Sequence, residues 1–243
     1  LPEPESSDLA ASSFLMIPYS NRIAGGSFRF AGQQYQLAKG ENHAIHGDVR
    51  KRPWVVIEQR PACAKLRFDS REHADVNWPW AFSAEVAYAL VGSTLESRLS
   101  LRNVSDAAMP AGFGFHPYFL RSLSSKTEQI HVQFAAAGVY PDAHGNRIPS
   151  GPAVPATPQQ DFSIEKRLDP DVFHDFCAHG YDGTGSIVWP ESGICLAFRV
   201  SPELGHLVFY NPPKPYFAME PVSNANNGVN LFGSGDATSG VRV

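Results

Sequence analysis

Apolar and polar residues alternate with a period of two along much of the chain, which is the signature of half-buried strands. In residues 82–90, FSAEVAYAL, the side chains of Phe82, Ala84, Val86, Tyr88 and Leu90 share one face. In residues 95–102, LESRLSLR, Leu95, Leu99 and Leu101 stand opposite Glu96, Arg98 and Arg102. The four residues VGST separate the two runs, so they are predicted to form a hairpin. Residues 28–37 (FRFAGQQYQL), 54–68 (WVVIEQRPACAKLRF) and 186–200 (SIVWPESGICLAFRV) read as further hairpins with Gly or Pro at their turns, and 205–210 (GHLVFY) as a short, wholly apolar strand. No segment keeps a helical period. About ten short strands, punctuated by 20 Gly and 20 Pro, predict an all-β antiparallel sandwich. The Pro-rich stretch 149–160, PSGPAVPATPQQ, is too polar for a core. It reads as a long surface loop rather than a linker, because strands resume beyond it without a change of composition.

A chain of 243 residues that is 43% hydrophobic can bury one full core, so a single domain over residues 1–243 is expected. The net charge of −4 argues against a nucleic-acid partner and for a small neutral or weakly charged ligand. Three cysteines, Cys63, Cys177 and Cys195, at no metal-like spacing read as reduced thiols of a cytoplasmic protein. No apolar run approaches bilayer length, and the opening LPEPESSDLA is acidic where a signal peptide is basic, so no membrane partner is expected. The sequence does not begin with Met, which leaves a removed leader open.

Several polar residues sit in settings a sandwich does not need. His116 lies within GFGFHPYFL, between glycine-spaced phenylalanines and a Pro-Tyr-Phe. Glu220 lies in YFAMEPV, sharing a strand face with Tyr216 and Ala218 and followed by Pro221. Asn21 and Arg22 occur in IPYSNRI, and His43 and His46 in NHAIHG. Taken singly, each has a plain alternative: a satisfied core histidine, an edge glutamate, a turn with a surface cation. Nucleophile-elbow, phosphate-loop and His-Glu-x-x-His motifs are absent from the sequence. His43 and His46 are three apart, but the two histidines one residue apart with a nearby glutamate that a metal-binding β-barrel usually offers are missing. The sequon NVS at 103–105 falls where a strand gives way to a turn.

Five fragments in order, NRIAGGSFRFAGQQYQL, ENHAIHG, MPAGFGFHPYF, HDFCAHGYDG and VFYNPPKPYFAMEPVS, together resemble the aldose 1-epimerase (galactose mutarotase-like) family across residues 17–223. The resemblance implies a large antiparallel β-sandwich whose concave face carries a sugar site. It also implies an isomerase interconverting the α and β anomers of an aldohexose without cofactor or metal. By match to the family motifs, His116 is the general acid and Glu220 the general base. Asn21, Arg22, His46, Tyr118 and Asp175 match positions that hold the sugar; Asp182 reads as a turn residue. Such a pair is expected to hold its members charged, the carboxylate keeping the imidazole protonated. Trp78 and Trp80 are weaker candidates for stacking on a sugar, with core packing as the alternative.

The family pattern also has a first pair of strands before the Asn-Arg-Ile segment and a last strand beyond the chain's final SGVRV. Either these are absent or the sequence is trimmed; true absence predicts unpaired sheet edges. Two other functions stay open. A mutarotase-like enzyme for a modified sugar such as a hexose 6-phosphate predicts extra cations at the cleft rim, for which Arg50, Lys51 and Arg52 are candidates. A non-catalytic carbohydrate-binding module predicts a lost acid or base, whereas both are present. A sugar partner and a monomer or homodimer are expected.

Overall fold

The protein was analysed as a computed structural model that describes residues 13–38, 42–124 and 128–243. The acidic opening LPEPESSDLA lies outside the described residues. In chain order the strands are β1 (Ser13–Met16), β2 (Arg22–Ala24), β3 (Ser27–Phe30), β4 (Gln33–Gln36), β5 (His43–Ile45), β6 (Val55–Arg60), β7 (Cys63–Asp69), β8 (Phe82–Val91) and β9 (Thr94–Asn103). There follow β10 (Gly114–Leu120), β11 (His131–Phe134), β12 (Gly138–Val139), β13 (Lys166–Arg167), β14 (His174–His179), β15 (Thr184–Trp189), β16 (Ile194–Arg199), β17 (His206–Asn211) and β18 (Tyr216–Val222). One helix of six residues, α1 (Gly228–Gly233), follows them.

The hairpins expected from alternation are all present: β3–β4, β6–β7, β8–β9 and β15–β16. The estimate of about ten strands is too low, because β2, β5, β12 and β13 have only two or three residues and show no period. Helix α1 escapes the sequence reading for the same reason, being under two turns long.

A six-stranded antiparallel sheet, ordered β1-β10-β18-β17-β14-β12, forms the centre. Two four-stranded sheets, β6-β7-β8-β9 and β13-β11-β15-β16, complete the layers. Leu15 and Phe115 from one end of the central sheet pack with Phe68, Phe82, Ala84 and Val86 of the first four-stranded sheet. Phe176, Leu207, Phe209, Phe217 and Met219 pack with Val132, Phe134, Ile187 and Trp189 of the second. The rear of the central sheet is thus apolar by strand period, and the alternate residues of the same strands point to the front. That front face receives Phe14, His116, Tyr118, Glu220, Val208, Tyr210, Asp175 and Cys177.

Two features of the outer sheet differ from the pattern. Leu90 and Leu95, assigned to the buried side of the β8–β9 hairpin, are 58% and 61% exposed. They are paired with each other next to the turn, where the tip outruns the core that buries Phe82 and Val86. Trp78 and Trp80 are buried in an aromatic cluster with Tyr19, Phe28 and Tyr35. Their role is packing, and the stacking role does not fall to them. Asn103 of the sequon accepts from Ser105 N (2.9 Å) and Ser105 Oγ (2.7 Å), making the expected turn, and Asp182 likewise accepts from Thr184 N.

Phe209 lies directly behind the front face, fully buried, with the rings of Phe134, Phe162, His174 and Phe176 around it. Phe209→Ala is expected to cost about 3–5 kcal/mol of folding stability, read as a lowered midpoint in urea unfolding at unchanged slope.

Candidate active site

The floor of the front face is set by sheet register. Gly114 pairs with Val222 and Tyr118 with Ala218, which brings His116 opposite Glu220 on adjacent strands. Their side chains meet with Nε2 of His116 3.1 Å from Oε1 of Glu220, and they are 4% and 3% exposed. Gly114 is required two residues before the histidine, since a Cβ there would lie 2.5 Å from Cγ1 of Val222 and hold the strands apart. Phe14, the partner of His116 on β1, stacks on its ring at 4.4 Å. Tyr118 lies tilted against the His116 ring at 4.6 Å, and His46 meets the His116 ring edge-on at 5.1 Å. The aromatic setting of His116 in the sequence is therefore a cage that fixes the imidazole plane.

One wall comes from the β2–β5 ribbon. Asn21 and His46 both adopt left-handed backbone, φ 57° and 63°, and the His46 N–H donates to the Asn21 carbonyl at 2.7 Å. Gly47 follows at φ 65°, where a Cβ would stand 2.0 Å from the Ile17 carbonyl oxygen; only glycine fits this close approach. The ribbon is anchored by an asparagine-rich segment, residues 223–228 (SNANNG). Asn226 Oδ1 accepts from Arg22 N (3.0 Å), Asn227 N donates to Arg22 O (2.9 Å), and Asn224 Oδ1 accepts from Ser20 N and Oγ. Arg22 is thereby aimed across the floor. His43 Nδ1 accepts from Gly25 N at 3.2 Å.

The opposite wall is β14 and the loop after β12. Asp175 is the register partner of Tyr210, and its Oδ2 accepts from Nε of Arg147 at 2.5 Å. Arg147 ends a tight loop in which Asp142 accepts from the backbone N–H groups of Asn146 and Arg147 at 3.0 and 2.9 Å. Its guanidinium also lies over Phe173, 5.4 Å from the ring centre.

Between the walls lies a cleft of about 900 Å³. All seven residues singled out from the sequence, Asn21, Arg22, His46, His116, Tyr118, Asp175 and Glu220, line it. Arg147, Phe173, Tyr210 and Asn42 line it as well and were not anticipated. Tyr210 was within reach of the strand period, two residues beyond Val208 in GHLVFY. Arg147 sits in a turn-type stretch, DAHGNR, with no pattern to mark it. Of the three cations considered for the rim, Arg52 is bound to Asp48 and Asp75 at 2.7 and 2.8 Å. Lys51 and Arg50 are exposed, and the Arg50 guanidinium lies 5.5 Å from the centre of the Phe14 ring.

Burial dominates the electrostatics of the floor. It pushes His116 down to about 3, with the Arg50 cation acting in the same direction. Burial and then the Asp175 charge push Glu220 well above the ordinary carboxylate range, against the pull of Arg22. His46 is lowered by burial and by the neighbouring His116 and arginines, and Tyr118 is raised to about 12 by burial and Glu220. Burial thus favours the neutral form of each group, against the expectation that the pair holds itself charged. These directions correspond to a proton carried by Glu220 beside an unprotonated His116. Nδ1 of His116, Nδ1 of His46 and Oε2 of Glu220 are buried without a hydrogen-bond partner.

The sequence profile of the aldose 1-epimerase family matches residues 4–231. The chain is 34% identical to the uncharacterized protein YihR of Escherichia coli (strain K12), over 59% of this chain and 47% of YihR. It is 27% identical to galactose mutarotase of Homo sapiens, over 67% of this chain and 48% of that protein. The chain thus spans about half the length of these two curated relatives. Among solved structures, a galactose mutarotase-like protein from Clostridium acetobutylicum superposes with a TM-score of 0.80 at 21% identity, covering 95% of this chain and 73% of that one. At that identity the likeness speaks for the fold alone.

The burial of His116 has a direct spectroscopic consequence. In the ligand-free protein its imidazole is expected to stay neutral from pH 8 down to pH 5, as read by ring nitrogen shifts in proton–nitrogen correlation spectra. A titration centred near 6.5 would contradict the assignment.

Proposed function

Because the chain belongs to the aldose 1-epimerase family, we propose that it interconverts the α and β anomers of an aldohexose, with His116 as general acid and Glu220 as general base. The observation that carries this reading is the 3.1 Å contact between the two groups on a buried cleft floor. The hydroxyl oxygen O1 and the ring oxygen O5 of a sugar are bonded to the same carbon, C1. An acid serving one and a base serving the other must therefore themselves be neighbours.

The reaction conserves protons within the pair. In the closed-ring complex the proton moves from Glu220 to His116, giving a carboxylate facing O1–H and an imidazolium facing O5. The O1–H, the O5 lone pair and the nearby Arg22 replace the solvation that burial denies these charges. Glu220 then takes the O1 proton as His116 delivers its own to O5, and the C1–O5 bond breaks to give the open-chain aldehyde. Rotation about C1–C2 presents the other carbonyl face, and the two transfers reverse to close the opposite anomer. Each positioned group contributes roughly 10²–10⁴ in rate. Arg22, Asn21 and His46 on one wall, and Tyr118 and Asp175 on the floor and far wall, supply hydrogen bonds to the remaining hydroxyls.

A hexose carrying an anionic substituent is the alternative substrate, and the exposed Arg50 guanidinium over Phe14 is the feature that favours it. Retention of both the acid and the base argues against a purely binding role.

Polarimetry of freshly dissolved α-D-glucose and α-D-galactose tests the proposal, with buffer alone subtracted because anomers interconvert spontaneously. Glu220→Gln and His116→Gln are each expected to bind sugar yet lose at least about 100-fold in rate. A wild-type rate in either variant removes that residue from the mechanism. Acceleration confined to a hexose 6-phosphate selects the anionic substrate.

A further inference from the structure

Among the described residues, Asp175 is the only carboxylate besides Glu220 that lines the cleft, and it is not free to turn. Nε of Arg147 holds its Oδ2 at 2.5 Å. Arg147 is in turn fixed through its own backbone N–H, its Nη1 and its left-handed φ of 66° by Asp142 and the loop it closes. Phe173 covers the guanidinium face. The loop is itself shut by Ser150 N donating to Pro141 O at 2.8 Å. A surface loop thus delivers one cation to one edge of one carboxylate. That arrangement leaves the other carboxylate oxygen as the one open to the cleft.

We propose that Arg147 is a positioning residue for the epimerisation, holding Asp175 in the orientation that accepts a sugar hydroxyl and offsetting the negative charge that Asp175 presents to Glu220. The inference rests on the acid–base reading above. The groups facing Glu220 are His116 and Tyr118 from β10, Asp175 and Cys177 from β14, Tyr210 from β17 and Arg22 from the β2–β5 ribbon, with His46 behind His116. Among them Asp175 is the one that raises the Glu220 proton affinity by its charge, and Arg22 lowers it. Arg147 contacts Asp175, Asp142 and Phe173, so its influence on Glu220 passes through Asp175. The sign follows. Without the Arg147 cation, the Asp175 charge acts on Glu220 less opposed and Glu220 holds its proton to higher pH; because the pair works with the one proton that Glu220 carries, the alkaline limb of activity, where that proton is lost, moves upward.

The test compares mutarotation kinetics of Arg147→Met, Arg147→Lys and the double variant Arg147→Met/Asp175→Asn with wild type over pH 5–10. Folding is checked in each case by thermal unfolding, since Arg147 is on a partly exposed loop. Arg147→Met is expected to raise KM about five- to tenfold, the loss of one charge-assisted hydrogen bond's worth of order, and to move the alkaline limb of kcat/KM upward by about half a pH unit or more. Arg147→Lys keeps the charge and is expected to leave the limb near its wild-type position while KM still rises, because the flat Nε–H edge is gone. In the double variant the limb is expected to return to or below the wild-type position although KM stays high. An Arg147→Met protein with wild-type KM and wild-type limb overturns the proposal. So does a limb shift that persists with Asp175→Asn, since the effect would then bypass Asp175. Failure of the acid–base reading is visible separately, as a Glu220→Gln protein that turns over at the wild-type rate.

Discussion

A carboxyl and an imidazole 3.1 Å apart, on neighbouring strands and almost closed to solvent, form the contact on which the rest of the cleft depends. Such a pair is costly to bury in charged form, and leaving either member alone would be costlier. The surrounding structure accommodates it by dividing the labour. The rear of the same strands buries Phe217, Phe209 and Met219 in a continuous apolar core, which fixes the backbone spacing. The front holds the imidazole between Phe14, Tyr118 and His46, which fixes its plane. Position is thus set by packing, and the polar atoms are left to chemistry.

The preference of burial for a neutral pair bears on how the proposed reaction runs. During ring opening the base gains a proton and the acid loses one, so the open-chain intermediate sits over a protonated Glu220 and a neutral His116. This is the distribution that burial favours when no sugar is bound. The environment that disfavours the charged pair in the closed-ring complex therefore favours the state in which the ring is open. Arg22 acts the other way, stabilising the carboxylate form.

The legible and illegible parts of this structure divide by length and by range. Hairpins such as β8–β9 and β15–β16 have six to ten residues per strand, enough for the period of two to appear. The ribbon that carries Arg22 and His46 pairs three residues with three, and no periodicity survives at that size. Its presence was signalled instead by side chains, the Asn-Arg and His-x-x-His fragments, through family resemblance. The cleft residues lie far apart in sequence, from Asn21 to Glu220, and the strand order β1-β10-β18-β17-β14 brings them together. Arg147 escaped because its stretch reads as a turn and its partner Asp175 is 28 residues away. The charge state of the floor escaped because burial of both partners is a tertiary quantity that no motif carries.

The ribbon wall shows how a strained local geometry is sustained at a distance. Left-handed backbone at Asn21 and His46 costs roughly 1–3 kcal/mol per residue where a non-glycine side chain must adopt it, asparagine being the more tolerant of the two. The two residues are joined by the hydrogen bond from His46 N to Asn21 O, so neither can relax without moving the other. The strain is contained by contacts some 200 positions along the chain: Asn224 on Ser20, Asn226 on the Arg22 N–H, and Asn227 on the Ala24 N–H and the Arg22 carbonyl. Those asparagines follow Glu220 by only a few residues, immediately beyond β18. The strand that presents the carboxyl on the floor thus leads directly into the segment that holds Arg22 above it. The two are coupled in position through a short covalent path and backbone hydrogen bonds. A displacement of this segment would disturb the carboxylate and the cation that stabilises it together.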